Sequence, residues 1–334
     1  MPFTTLFSSS LILGSVLALS SNNWIFIWLG LELNLMSFIP LLSSSNKFNE
    51  TEASMKYFLA QALGSSLILL GSMTFFINNH LMWSSDFMYM LLILGLVTKL
   101  GMPPCHFWFP SVMSMISWPM CMILSTWQKL VPMMILFYII TPKMNFMTSA
   151  IIMISAILGS VGGLNQTQLR PLLAYSSIGH MSWMFAASTT SYSTSMMYLL
   201  VYIIITLPLM MIISNMSSLS NLTSNNLSST PTFHTPALLF LLLSLGGIPP
   251  FLGFFPKWMV LESLSPSFSL ITLIILLGSM INLYYYLNLS FINIMSPPQF
   301  SLFNYSYNQN SIYLMAPLMA SITLGLGPAL FLFI

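Results

Sequence analysis

The chain has 334 residues, 57% hydrophobic and 4% charged, where a soluble domain carries about a quarter charged side chains. That composition excludes a water-soluble protein and reads as an integral membrane protein. Seven basic and five acidic side chains stand singly, so there is no basic patch for nucleic acid, and two cysteines, Cys105 and Cys121, are too few for the thiolate set of an iron–sulfur cluster.

Apolar runs of about 20 residues, enough to cross a bilayer, recur along the whole length. In chain order the expected spans are 4–20, 24–42, 55–78, 87–118 (broken), 121–140, 146–164, 172–190, 194–214, 236–263 (broken), 267–290 and 312–333. The expectation is therefore an all-α polytopic protein with about eleven transmembrane helices in one membrane domain, 1–334. Placing the N-terminus on one side puts Lys47, Lys56 and Arg170 on that side and Lys143 opposite, which makes it the face from which the chain is inserted.

Two segments match in register: "GMPPCHFWFP" from Gly101 and "GIPPFLGFFP" from Gly247. They fall in the fourth and ninth spans, and an odd offset of five inserts the second copy upside down, as in the inverted repeats of transporters. The approximate repeats are 1–140 and 146–290, followed by a C-terminal helix at 312–333. In each copy a proline pair (Pro103 and Pro104, Pro249 and Pro250) removes backbone donors and frees carbonyls one turn earlier. Hydrocarbon does not tolerate such groups unless protein, water or an ion satisfies them. The breaks at 101–104 and 247–250 are thus expected to mark a hydrated space inside the bundle.

Glu32, Lys99, Lys129 and Lys257 each lie within an apolar span. A charge at the bilayer centre costs about 2.5–3.5 kcal/mol even on lenient insertion scales, so four together point to function. The bland alternative is that lysines near helix ends reach the headgroups, Lys257 above all, while one Glu–Lys pair locks two helices. His180, among serines, fits a polar file; His106, beside the first break, is a relay group or a hydrogen-bonded core residue. His80, His234, Asp86 and the charges around Glu50 and Glu52 read as solvated, and the role of Glu262 stays open. Burial disfavours an ammonium and a nearby carboxylate favours it, so a shifting carboxylate loads and unloads a lysine; lysines spaced with histidine or water then pass a proton stepwise. No catalytic triad, metal cluster or phosphate loop is visible in the sequence.

The segments "TEASMKYFLAQ", "LVTKLGMPPCHFWFP", "TWQKLVP", "GGLNQTQLRPLLAYSSIGHMSWM" and "LSLGGIPPFLGFFPKW" occur in this order over roughly residues 24–260. In them the chain resembles the chain 2 family of mitochondrial NADH–ubiquinone oxidoreductase, respiratory complex I. The resemblance implies an antiporter-like, proton-pumping membrane-arm subunit with two inverted five-helix units and a further C-terminal helix. It implies that Glu32 pairs with Lys99, that Lys129 is the central lysine, that Lys257 is the exit-side lysine, and that His180 is the family's histidine. It also implies partners among the other membrane-arm subunits, the lipid bilayer, protons and internal water. NAD, FMN, iron–sulfur clusters and ubiquinone would sit in other subunits, with no cofactor in this one. The 29 methionines and the lack of an Arg-rich presequence fit synthesis inside mitochondria and a place in the inner membrane, N-terminus on the matrix side. Cys105 and Leu252 depart from residues common in the family. Two rivals stand beside this reading: a free-standing cation–proton antiporter and a purely structural spacer.

Overall fold

The computed structural model describes residues 2–44, 47–77, 85–140, 146–217, 234–266 and 268–295. The expected span at 312–333 lies outside them, as do Lys143 and His80. Among the described residues there are thirteen helices and no strand: α1 (Pro2–Ser20), α2 (Trp24–Leu42), α3 (Phe48–Ile77), α4 (Ser85–Leu100), α5 (Trp108–Met115), α6 (Trp118–Ser125), α7 (Trp127–Ile140), α8 (Phe146–Leu164), α9 (Leu169–Ser188), α10 (Tyr192–Ser217), α11 (His234–Gly246), α12 (Phe254–Leu264) and α13 (Ser269–Met295). A helix satisfies its backbone internally, which is why oil selects it. The many serines do the same: Ser15, Ser37, Ser65 and Ser155 fold their hydroxyls back onto the carbonyl three residues earlier.

Seven stretches are long and apolar enough to cross a membrane, while α4 and α11 are shortened by the two breaks. The expected span 172–190, now α9, is not among the seven because serines and His180 lower its hydropathy. Every residue from Ser176 to Ser188 is buried, so protein and not lipid is the solvent of this helix. The span expected as continuous over 121–140 is interrupted at Thr126, whose hydroxyl donates to Met122 O at 2.6 Å while Lys129 N closes a short turn onto Thr126 O at 3.2 Å. Pro132, inside α7, lacks the donor that Gln128 O would otherwise receive. Lys129 therefore sits in a locally loosened stretch between these two irregularities.

The chain divides into two compact units, residues 1–155 and 156–334. In the first, α1 packs along α2, α2 on α3, and α3 along α4, while α4 and α6 lie on α7. Small residues permit the close approach that membrane helices use in place of a hydrophobic drive. A Cβ on Gly30 would lie 2.7 Å from Ala18 N, and one on Gly64 2.7 Å from Lys99 Cγ. In the second unit α9 lies against α10, α12 and α13, and α11 against α10 and α13. There Gly159 lets α8 meet the backbone of Gly179 on α9.

Gly30→Val is expected to force α1 off α2 and to destabilise the protein by about 1–3 kcal/mol, the usual cost of overpacking. Thermal unfolding in detergent should show a lowered midpoint for Gly30→Val and none for Leu33→Val, an exposed position one turn on.

Candidate functional site

Both breaks have the same anatomy. α4 stops with Gly101 at φ +73°, where Gly101 N donates to Thr98 O at 3.2 Å and Met102 N to Val97 O at 3.0 Å. α11 stops with Gly247 at φ +77°, where Gly247 N donates to Ser244 O at 3.1 Å and Ile248 N to Leu243 O at 3.5 Å. This is the glycine stop in which a left-handed residue lets two amides reach back over the last turn, with prolines after it that cannot resume the helix. Only glycine adopts that φ without strain.

Side chains take up carbonyls at the broken ends. In the first break Trp108 Nε1 donates to Thr98 O at 3.1 Å and Gln61 Nε2, from α3, to Lys99 O at 2.9 Å. In the second the cap is a charge: Lys257 Nζ donates to Gly246 O at 2.8 Å. The lysine reaches it by lying over Gly247, where a Cβ would stand 2.8 Å from Nζ. Of the partners expected from the sequence, protein, water or an ion, protein donors take up these three carbonyls.

The first unit holds Glu32 on α2, Lys99 in the last turn of α4 and Lys129 on α7. Lys99 is 5% and Lys129 6% exposed, so neither reaches headgroups. The Glu32 carboxylate lies near enough to act electrostatically on Lys99 and on the Tyr57 hydroxyl of α3. Among the described residues Glu32 and Lys99 form no direct ion pair, and Glu32 Oε2 is buried with no hydrogen-bond partner. Lys129 Nζ stands over the Phe109 ring, 4.7 Å from its centroid, a cation–π contact. Phe109 is also what packs beneath Gly101, where a Cβ would meet its Cβ at 2.8 Å. His106, within the break, is buried and stacks on Phe107 with centroids 4.1 Å apart.

In the second unit Lys257, on α12, is 7% exposed, which removes the headgroup alternative for it. His180, on α9, is buried; its Nδ1 lies 3.1 Å from Tyr198 OH and its ring 5.5 Å from that of Tyr202. A cavity of about 10 Å3 is lined by His180, Tyr198, Tyr202, Ser244, Gly253 and Pro256, so it lies between the histidine and residues that flank the second break. That volume is about one water.

Five side chains of the site were not singled out from the sequence: Tyr57, Gln61, Gln128, Tyr198 and Tyr202. Tyr57 and Gln61 share a face of α3 at i, i+4 inside "KYFLAQ", which is the signal that was available. Tyr198 and Tyr202 have the same spacing on α10.

Residues 21–282 match the transmembrane family described as NADH:quinone oxidoreductase/Mrp antiporter. The chain belongs to this family. An NADH-ubiquinone oxidoreductase chain 2 from Lumbricus terrestris is 44% identical over 333 residues, covering 99% of this chain and 98% of its own. Its counterpart in Locusta migratoria is 37% identical over 328 residues, covering 96% and 94%. Among solved structures, a chain of respiratory complex I from Thermus thermophilus has a TM-score of 0.85 at 23% identity and covers 97% of this chain and 78% of its own. A chain of the Mrp complex from a Dietzia species has a TM-score of 0.77 at 16% identity, covering 86% and 59%. At those identities the solved structures speak to the antiporter-family fold alone.

Gly247→Ala is expected to destabilise this antiporter-family chain by about 1–2 kcal/mol through the left-handed φ alone, and to push Lys257 off its carbonyl. Gly246→Ala, where a Cβ meets nothing nearer than 3.8 Å, is expected to be close to neutral. Thermal midpoints of the two variants in detergent check the contrast.

Proposed function

We propose that this chain is a proton-translocating core subunit of the membrane arm of respiratory complex I, in the mitochondrial inner membrane with its N-terminus on the matrix side. In this reading residues 1–334 form one membrane domain of eleven helices: two inverted five-helix repeats, 1–140 and 146–290, and a C-terminal helix at 312–333. NADH oxidation and ubiquinone reduction, with NAD, FMN and iron–sulfur clusters, belong to other subunits, and other membrane-arm subunits flank this one. The names of the Lumbricus and Locusta relatives support the assignment.

The observation that carries the reading is the burial of Lys99, Lys129 and Lys257 at 5–7% exposure, with the Glu32 carboxylate acting on the first. Buried lysines in a membrane chain are costly and mark ion paths. Neutralising or withdrawing Glu32 removes the charge that stabilises the Lys99 ammonium and favours release of its proton. Lys129, whose ammonium lies over the Phe109 ring, accepts and gives up a proton in this reading. Among the described residues, buried Trp28 Nε1, Glu32 Oε2 and Gln128 Nε2 have no hydrogen-bond partner, which supports internal water around them. In the second unit the cavity beside His180, Tyr198 and Ser244 supports a water on the way to Lys257. His106 serves, in this reading, as a secondary polar group of the first break.

Lys99→Met and Lys129→Met are expected to depress proton translocation by the assembled complex in liposomes, while NADH oxidation by a hydrophilic acceptor stays unchanged. Normal pumping by both variants would leave the chain a structural spacer. The family's description, which includes the Mrp antiporter, supports a second reading, a cation–proton antiporter; the purified chain exchanging cations for protons without other subunits would establish it.

A further inference from the structure

Phe109 follows the first break, and the parts of that break hold it in place. It is 1% exposed, its amide donates to His106 O at 3.1 Å, and its ring meets that of Trp108 edge-on, with centroids 5.6 Å apart. Trp108 is itself tied to the end of α4 through Thr98 O. Gly101 leaves the room that Phe109 fills: a Cβ there would come within 2.8 Å of Phe109 Cβ and 3.2 Å of its Cγ.

Over this ring lies the ammonium of Lys129, which belongs to α7 and is 6% exposed. The internal match sets Phe109 in register with Phe255, and two residues further on stands Ser111 in the first copy and Lys257 in the second. The second copy thus carries its lysine on the same helix as the phenylalanine and sends it to Gly246 O. In the first copy a lysine from another helix comes to the ring, 4.7 Å from its centroid.

An aromatic face is negative, so it attracts an ammonium and has no comparable hold on a neutral amine. The attraction is larger where water is kept away, and both partners here are buried. A ring in this place therefore distinguishes the two protonation states of one lysine without bearing a charge itself. Leucine would fill much of the same space and lack that distinction.

We propose that Phe109 is a positioning residue that holds the protonated Lys129 side chain against the first break and releases it once the proton has left. The proposal rests on the proton-translocation reading above and adds to it a group that carries no transported proton.

The test compares variants in the assembled complex in liposomes, reading proton translocation coupled to NADH–ubiquinone turnover, with the amount of intact complex on a native gel as the measure of assembly. Phe109→Leu removes the aromatic face and keeps an apolar side chain. It is expected to slow coupled translocation about fivefold, the weight of one contact of this kind. Phe109→Tyr keeps the face and is expected to stay within about twofold of the parent. A packing role alone predicts the opposite order, because the tyrosine hydroxyl has to be buried where phenylalanine places only carbon. Normal translocation by Phe109→Leu, or Phe109→Tyr as slow as Phe109→Leu, overturns the role of Phe109. Lys129→Met in the same assay separates the two readings: slow beside a normal Phe109→Leu, it leaves the proton reading standing, and normal, it overturns both. Should Phe109→Leu fail to assemble, Phe109→Met takes its place with the same expectation. Should Phe109→Tyr fail, Phe109→Trp supplies the face, and a rate as slow as that of the aliphatic variant refutes the proposal.

Discussion

Backbone carbonyls cannot be left bare in oil, and the two interrupted helices depend on how that constraint is met. Each break ends in the same glycine stop at Gly101 or Gly247, and each needs outside donors for what the stop leaves over. The first break obtains them from neutral groups, Gln61 and Trp108. The second obtains one from an ammonium, Lys257. Thus the Lys99 side chain remains available to a carboxylate, whereas Lys257 is engaged with the helix end itself. Two copies of one motif therefore hold their lysines in different chemical settings.

The helices themselves were legible because the apolar runs are long and their punctuation is plain. The expected spans 24–42 and 146–164 coincide with α2 and α8, and both breaks fall at the glycines that the internal match singled out. The interruption at Thr126 was not legible: threonine closing a hydroxyl onto Met122 is a local hydrogen-bond choice that hydropathy does not register. Nor was the burial of α9, since a polar helix in a membrane chain reads from sequence as a weak span when it is a helix surrounded by protein.

Of the site, the lysines announced themselves by their cost, and their burial agrees with that reasoning. What the sequence withheld was the company they keep. The resemblance implies that Glu32 pairs with Lys99; among the described residues the two form no direct ion pair. That Lys129 sits over Phe109, and that Tyr57 bridges toward Gln128, depends on tertiary contacts across dozens of residues, for which no local pattern exists.

Phe109 gives the first unit a mechanical property. One face of this residue packs beneath the left-handed Gly101, and its ring lies under the Lys129 ammonium at 4.7 Å. A cation held by an aromatic quadrupole is sensitive to separation. The residue that packs against the turn at Gly101 is thus also the one whose ring meets an amine on a different helix.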